Sequence, residues 1–281
     1  MKKHNFFTIV MSALLLTFMA SCSPENDEPI TPINPSPNTP TTSNIFSGVY
    51  NPGKKIKEVY MESNNEKILS EVWTWNGNLL ESIDHYGYNG DWSSKSQFTY
   101  EQNRLTRLDR YYSSNYSHDN TYTVFEYSGQ LLNSSKCYNT ETNKLYHTCT
   151  YSYKNNQMTQ FNIAYPQGNE DITYYIEWKQ NNVVKVTRPE NDLSVVFDYD
   201  SKENPFTGLC LDLDGKVFEG NSENAYGFTI SNNNIIRATV KEKDFNGVYN
   251  ISYQYDSDGY PILRIIDGYD EDQIKSHYYY N

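Results

Sequence analysis

Along most of this chain apolar residues stand at alternate positions, with polar residues between them. The stretch "YSYKNNQMTQF", Tyr151 to Phe161, shows the unit: aromatics at i and i+2, a short polar turn, then two apolar residues three apart. Period-two alternation puts both aromatics on one face of a strand and sends Ser152 and Lys154 to the other. The unit recurs. Further copies are "WTWNGNLLESI" from Trp73, "FTYEQNRLTRL" from Phe98, "FEYSGQLLNSS" from Phe125, "IEWKQNNVVKV" from Ile176, "FDYDSKENPF" from Phe197, "FTISNNNIIRA" from Phe228 and "YQYDSDGYPILRI" from Tyr253. The eight anchors Trp75, Tyr100, Tyr127, Tyr153, Trp178, Tyr199, Ile230 and Tyr255 are 25, 27, 26, 25, 21, 31 and 25 residues apart. Regular spacing in this range is the signature of a repeat architecture.

Each copy reads as a β-hairpin. The turns "NGN", "SGQ", "KNNQ", "SNNN" and "DSDG" supply the Gly and Asn that tight hairpins need for positive φ. In the returning strands Leu105 and Leu108, Met158 and Phe161, and Val183 and Val186 are three apart, which breaks alternation and predicts a β-bulge. The copy containing "KENPFTGL" departs from the pattern, because Pro205 cannot donate to a ladder, and is expected to lose its second strand. The expected fold is all-β: an antiparallel up-and-down meander of 16 to 18 strands from eight hairpins, curled into a closed or nearly closed soluble barrel. An even count lets "KIKEVY" (Lys55 to Tyr60) pair with "IKSHYYY" (Ile274 to Tyr280).

The same alternation of direction gathers tight turns at one end and long connections at the other. The long end is expected to carry "YGYNGDWSSK", "YYSSNYSHDN", "YPQGNED", "RPEND" and the region from Gly208 to Ala225. Both ends of the repeat domain fall at the tight-turn end.

Composition agrees with strands: the chain holds 27 Tyr and 12 Phe, residues that favour sheets. A formal charge of −12 sets aside nucleic acid and anionic lipid as partners. Cys137, Cys149 and Cys210 allow at most one disulfide, and a Cys137–Cys149 bridge across the "NTETNK" turn is out of symmetric register, so two buried thiols are the favoured alternative.

The first residues differ. Lys2 and Lys3 precede an apolar run from Phe6 to Met19 that ends in "MASC", which marks residues 1–21 as a secretory signal. "ASC" resembles the lipobox of bacterial lipoproteins, in which the cysteine is acylated and becomes the mature N-terminus; Cys22 is then the membrane anchor. "CSPENDEP", with Glu25, Asp27 and Glu28, resembles the acidic surface-export signal of Bacteroidota lipoproteins and implies outer-membrane, surface-exposed display. Residues 22–45 are a proline-rich tether, whose extended geometry of ~3 Å per residue reaches ~60 Å. Residues 46–281 are the hairpin-repeat domain.

With lipobox, tether and ordered hairpins such as "DYDSKENPF" and "YQYDSDGYP", the chain resembles a Bacteroidota lipoprotein family of unknown function with a porin-like fold. That resemblance implies the barrel and implies no activity.

Candidate chemistry is sparse. His85, His118, His147 and His277 stand singly, without HExxH or GxSxG, so no catalytic residue, metal or cofactor is expected. "DLDG" at Asp212 and "DSDG" at Asp256 read as turns, since no calcium loop ending in Glu follows. Tyr88, Trp92, Tyr116 and Tyr165 sit in the long connections, where flat amphipathic rings suit a glycan or peptide. The leading expectation is a binding module; the alternatives are a structural envelope protein and, with less support, an enzyme or a true pore. A pore would need a continuous outward apolar band, which the bulges and Arg107 and Arg110 interrupt.

Overall fold

The computed structural model describes residues 46–63, 65–166, 168, 171–209, 229–243, 245–267 and 273–281. The alternating stretches form sixteen strands: β1 (Ile56–Ser63), β2 (Glu66–Asn76), β3 (Leu79–Tyr86), β4 (Trp92–Glu101), β5 (Arg104–Tyr112), β6 (Thr121–Ser128), β7 (Leu131–Asn139), β8 (Leu145–Lys154), β9 (Gln157–Ala164), β10 (Ile172–Lys179), β11 (Asn182–Arg188), β12 (Leu193–Glu203), β13 (Asn233–Glu242), β14 (Phe245–Tyr255), β15 (Pro261–Asp267) and β16 (Gln273–Tyr280). Each strand pairs antiparallel with its sequence neighbours, and β1 pairs with β16, so the meander closes into a barrel.

The aromatic pairs face inward. Trp73, Phe98, Phe125, Tyr151 and Phe197 are buried, and their partners Trp75, Tyr100, Tyr127, Tyr153 and Tyr199 are half-buried against the same core. Thr74, Thr99, Glu126, Ser152 and Asp198, between them, face water. The bulges are present as well. Thr99 pairs with Arg107 but Tyr100 with Leu105, and Ser152 pairs with Gln160 but Tyr153 with Met158. One extra residue, Thr106 or Thr159, resets the phase, so Leu105 with Leu108 and Met158 with Phe161 all reach the core.

Two expectations about connections are corrected. The copy at Phe197 lacks its second strand, as expected, but the copy at Phe228 does not give a hairpin of its own either: β13 is its second strand and pairs directly with β12, Tyr199 with Ile235. Asn204 explains the departure. Its Oδ1 accepts from the Phe206 N–H at 3.0 Å and its carbonyl accepts from the Thr207 N–H at 3.1 Å. Together with Pro205, which lacks an N–H, this makes a turn where the repeat would place a strand. Ile230 is buried outside any strand. Consequently the connection from residue 204 to 232, which includes the region from Gly208 to Ala225, leaves from the tight-turn end and not from the long-loop end. Residues 210–228, with Cys210 and Asp212, lie outside the described residues, as do 1–45 with the expected signal, Cys22 and tether.

The tight-turn end also holds both described chain ends, as expected: the Asn281 N–H donates to the Lys55 carbonyl at 3.0 Å. We call it proximal and the opposite end distal. At the proximal end neighbouring hairpins splay. The β5–β6 ladder begins at Arg107, leaving the backbone of Leu105 to find other partners. Its carbonyl accepts from the Tyr127 hydroxyl at 2.8 Å, and its N–H donates to the Gly48 carbonyl at 2.8 Å. Leu132 repeats this with Tyr153 at 2.7 Å and Phe46 at 2.9 Å. Val183 accepts from Tyr199 and donates to Ser231 Oγ at 3.1 Å. The second aromatic of a pair is thus a core ring with a polar tip that closes the next gap. Phe46 packs edge-on against Tyr153 and Trp178, with centroids 5.2 and 6.2 Å away, and Phe206 sits between Trp73 and Tyr278 at 6.1 and 5.8 Å.

Cys137 and Cys149 are buried free thiols. Cys149 pairs with Ser135 and Cys137 with His147, which offsets the two cysteines along adjacent strands. Burial pushes the Cys149 thiol up to about 12.

Candidate functional site

Closure of the barrel brings β15, β16, β1, β2 and β3 side by side, and a pocket of about 190 Å³ lies between them at the distal end. Met61, Leu69 and Ile274 are apolar residues of its lining, Glu71, His85 and Arg264 polar ones, and Tyr88 also lines it. Strand register places the polar groups. Glu71 on β2 is directly opposite His85 on β3, and Arg264 on β15 is opposite Ser276 on β16.

The charges are held in the wall: Glu71 is 6% exposed and Arg264 4%. Glu71 Oε2 accepts from the Trp73 indole at 2.8 Å, and Oε1 lies 3.5 Å from His85 Nδ1. The Arg264 guanidinium donates to Ser276 Oγ at 3.2 Å. Burial alone would raise the Glu71 carboxyl; His85, the Trp73 N–H and the Arg264 charge outweigh it and hold that group below its ordinary value. Glu71 is therefore a carboxylate at neutral pH, in a pocket that also holds the permanent cation of Arg264.

His85 Nε2 lies 3.2 Å from Ser96 Oγ on β4. Glu71, His85 and Ser96 thus form a carboxylate–imidazole–hydroxyl chain, in the order used for acyl transfer. Ser96 is 4% exposed and is not among the residues lining the pocket. The chain braces Glu71; it does not present a nucleophile to the pocket.

The expected rim residues are only partly together. Tyr88 and Tyr116 are both 59% exposed, in the connections after β3 and β5, and Tyr88 lines the pocket. Trp92 is 40% exposed, and its indole donates to Asp84 Oδ1 at 3.1 Å. Asp84 lies between inward Ile83 and pocket-lining His85, so alternation sends it, and Trp92 with it, to the outer wall. Tyr165, after β9, is half-buried on the core, with its ring 6.0 Å from His147. Asp256 forms a turn: Oδ1 accepts from the Asp258 and Tyr260 amides at 2.9 Å each, and Oδ2 from Lys54 at 2.7 Å.

The polar wall of the pocket was missed, although the repeat carries its signal. At the inward position two residues before the aromatic pair, other copies have Ser96, Thr123, Cys149, Tyr174, Val195 and Ile251; the first has Glu71. At the second inward position of the return, the others have Ile83, Leu108, Ser135, Phe161, Val186 and Ala238; the last has Arg264. Each is a charge in an otherwise uncharged register.

Among solved structures, a porin-like protein from Bacteroides uniformis is similar at 10% identity and a TM-score of 0.54, over 83% of this chain and all of that one. The fold is porin-like. A porin-like protein from Bacteroides vulgatus aligns at 8% identity and a TM-score of 0.43, over 81% of this chain and 99% of its own. No family model and no curated protein matches the chain.

Proposed function

We propose that this is a lipid-anchored protein of the outer-membrane surface that binds a glycan at the distal mouth of its barrel. The observation that carries the reading is the polarity of the barrel: the described chain ends and the closing segments lie proximally, and the pocket with Arg264, Glu71 and His85 lies distally. A tether leaving from Phe46 and acylated at Cys22 would point that pocket away from the bilayer. On the outer wall Thr74, Thr99, Glu126, Ser152 and Asp198 are exposed as well as Tyr175, Val196, Ile236 and Val248, a mixed surface where a lipid-facing barrel carries a continuous apolar band, so we place the barrel in water.

A clickable fatty acid fed to cells should label the protein, and Cys22→Ser should abolish the label and release the chain. Protease added to intact cells should cut it. A labelled Cys22→Ser variant would refute the anchor, complete protection the surface location, and the absence of any hit on a glycan array the ligand class.

A further inference from the structure

We infer that the distal pocket takes one uncharged sugar ring, end-on, as the terminal unit of a glycan; this rests on the glycan-binding reading above. Size is the first argument. About 190 Å³ is well below the roughly 300–1,000 Å³ of sites that enclose drug-sized ligands, and fits a single ring.

The second is depth. Going proximally, the next inward residues below Glu71 and Ser276 are Trp73 and Tyr278, and Phe206 packs between them. All three rings are at least nine-tenths buried, so the pocket has a floor. A chain cannot thread through it and must enter by its end.

The third is charge. Arg264 on β15 and Glu71 on β2 line the same pocket, so different hydroxyls of one sugar ring can accept from the first and donate to the second. Because Glu71 and Arg264 offset each other, a ligand of either charge gains no net attraction from the pair and pays its own desolvation, whereas neutral hydroxyls can bond both. Met61, Leu69 and Ile274 in the lining offer apolar contact to the C–H groups of the ring, and Tyr88 can stack on the unit that follows.

The test uses the full chain in detergent, titrated by calorimetry with neutral, acidic and amino monosaccharides, then with oligosaccharides carrying the bound ring at the terminus or inside. A neutral monosaccharide should bind, and its terminal-ring oligosaccharide should bind at least as tightly, with internal-ring chains silent. Glu71→Gln should weaken binding by about tenfold or more, the loss of one charged hydrogen-bond partner, while the far-UV spectrum and unfolding midpoint confirm that it is folded. If Arg264→Gln fails to fold, Glu71→Gln carries the test alone. Binding of internal-ring chains, preference for an acidic or amino sugar, or indifference to Glu71→Gln would overturn this inference and leave the glycan-binding reading standing. Binding of peptides but no sugar would overturn both.

Discussion

Tyr153 faces the core and is only half-buried, because its hydroxyl has a task of its own. It meets the Leu132 carbonyl, 21 residues away on the preceding hairpin. Tyr153→Phe keeps the ring against Phe46 and removes that donor, so it should cost about 1 to 3 kcal/mol in urea denaturation. Tyr153→Ala should cost about 3 to 5 kcal/mol, and Ser152→Ala within about 0.5 kcal/mol, since Ser152 faces water. Equal losses at 152 and 153 would contradict the face assignment. At this scale the sequence was legible as to face and silent as to partner: alternation says where a ring points and cannot say which carbonyl its hydroxyl finds. Cys149 illustrates the same limit with chemistry attached. Its pattern position says buried, and burial makes its thiol a poor nucleophile; a thiol reagent at pH 8 should leave Cys137 and Cys149 unmodified until denaturant unfolds the barrel.

Hairpins were the legible elements, because each carries its own phase, turn residues and bulge within a few residues. The segments from Phe46 to Tyr50 and from Asn204 to Leu209 carry no hairpin pattern of their own, so nothing in them announced that they pack at the proximal end. Their hold on the barrel is nonetheless specific. Gly48 has φ +75° and its carbonyl accepts from Leu105, and a Cβ there would collide with the Tyr127 phenol. Gly77, in the β2–β3 turn, has φ +58° and open space around it. Gly48→Ala should therefore destabilise by well over 1 kcal/mol, through backbone strain and displacement of Tyr127, while Gly77→Ala should cost about 1 kcal/mol from strain alone. Thermal unfolding of the two variants side by side checks this; similar shifts would mean that the Phe46 segment is not anchored where the Leu105 and Leu132 amides place it.

The whole molecule depends on one seam that the repeat could only permit. An even strand count allowed β1 to meet β16, and the meeting gathers residues from both ends of the domain around one pocket, which is why Glu71 and Arg264 were visible as off-pattern charges but not as members of one site. On the outer face of the seam Glu62 bonds Lys275 at 2.7 Å and His277 at 2.7 Å, and the Tyr60 and Tyr279 rings meet edge-on at 5.3 Å. Lys275 first, then His277, holds the Glu62 carboxyl below its ordinary value. A carboxyl whose folded pKa is depressed stabilises fully above its unfolded pKa, about 4.3, and loses that contribution as pH falls through the folded value. Glu62→Gln should therefore lower the urea midpoint at pH 7, and the gap between variant and native protein should narrow below about pH 4.3 and vanish once both carry an uncharged side chain there. Added salt should shrink the gap at pH 7 as well, because the seam faces solvent and its charges are screened. A gap that stays constant from pH 7 to pH 3 would mean that Glu62 acts by packing, and that the ladder from Val59–Tyr278 to Glu62–Lys275 closes the barrel without help from charge.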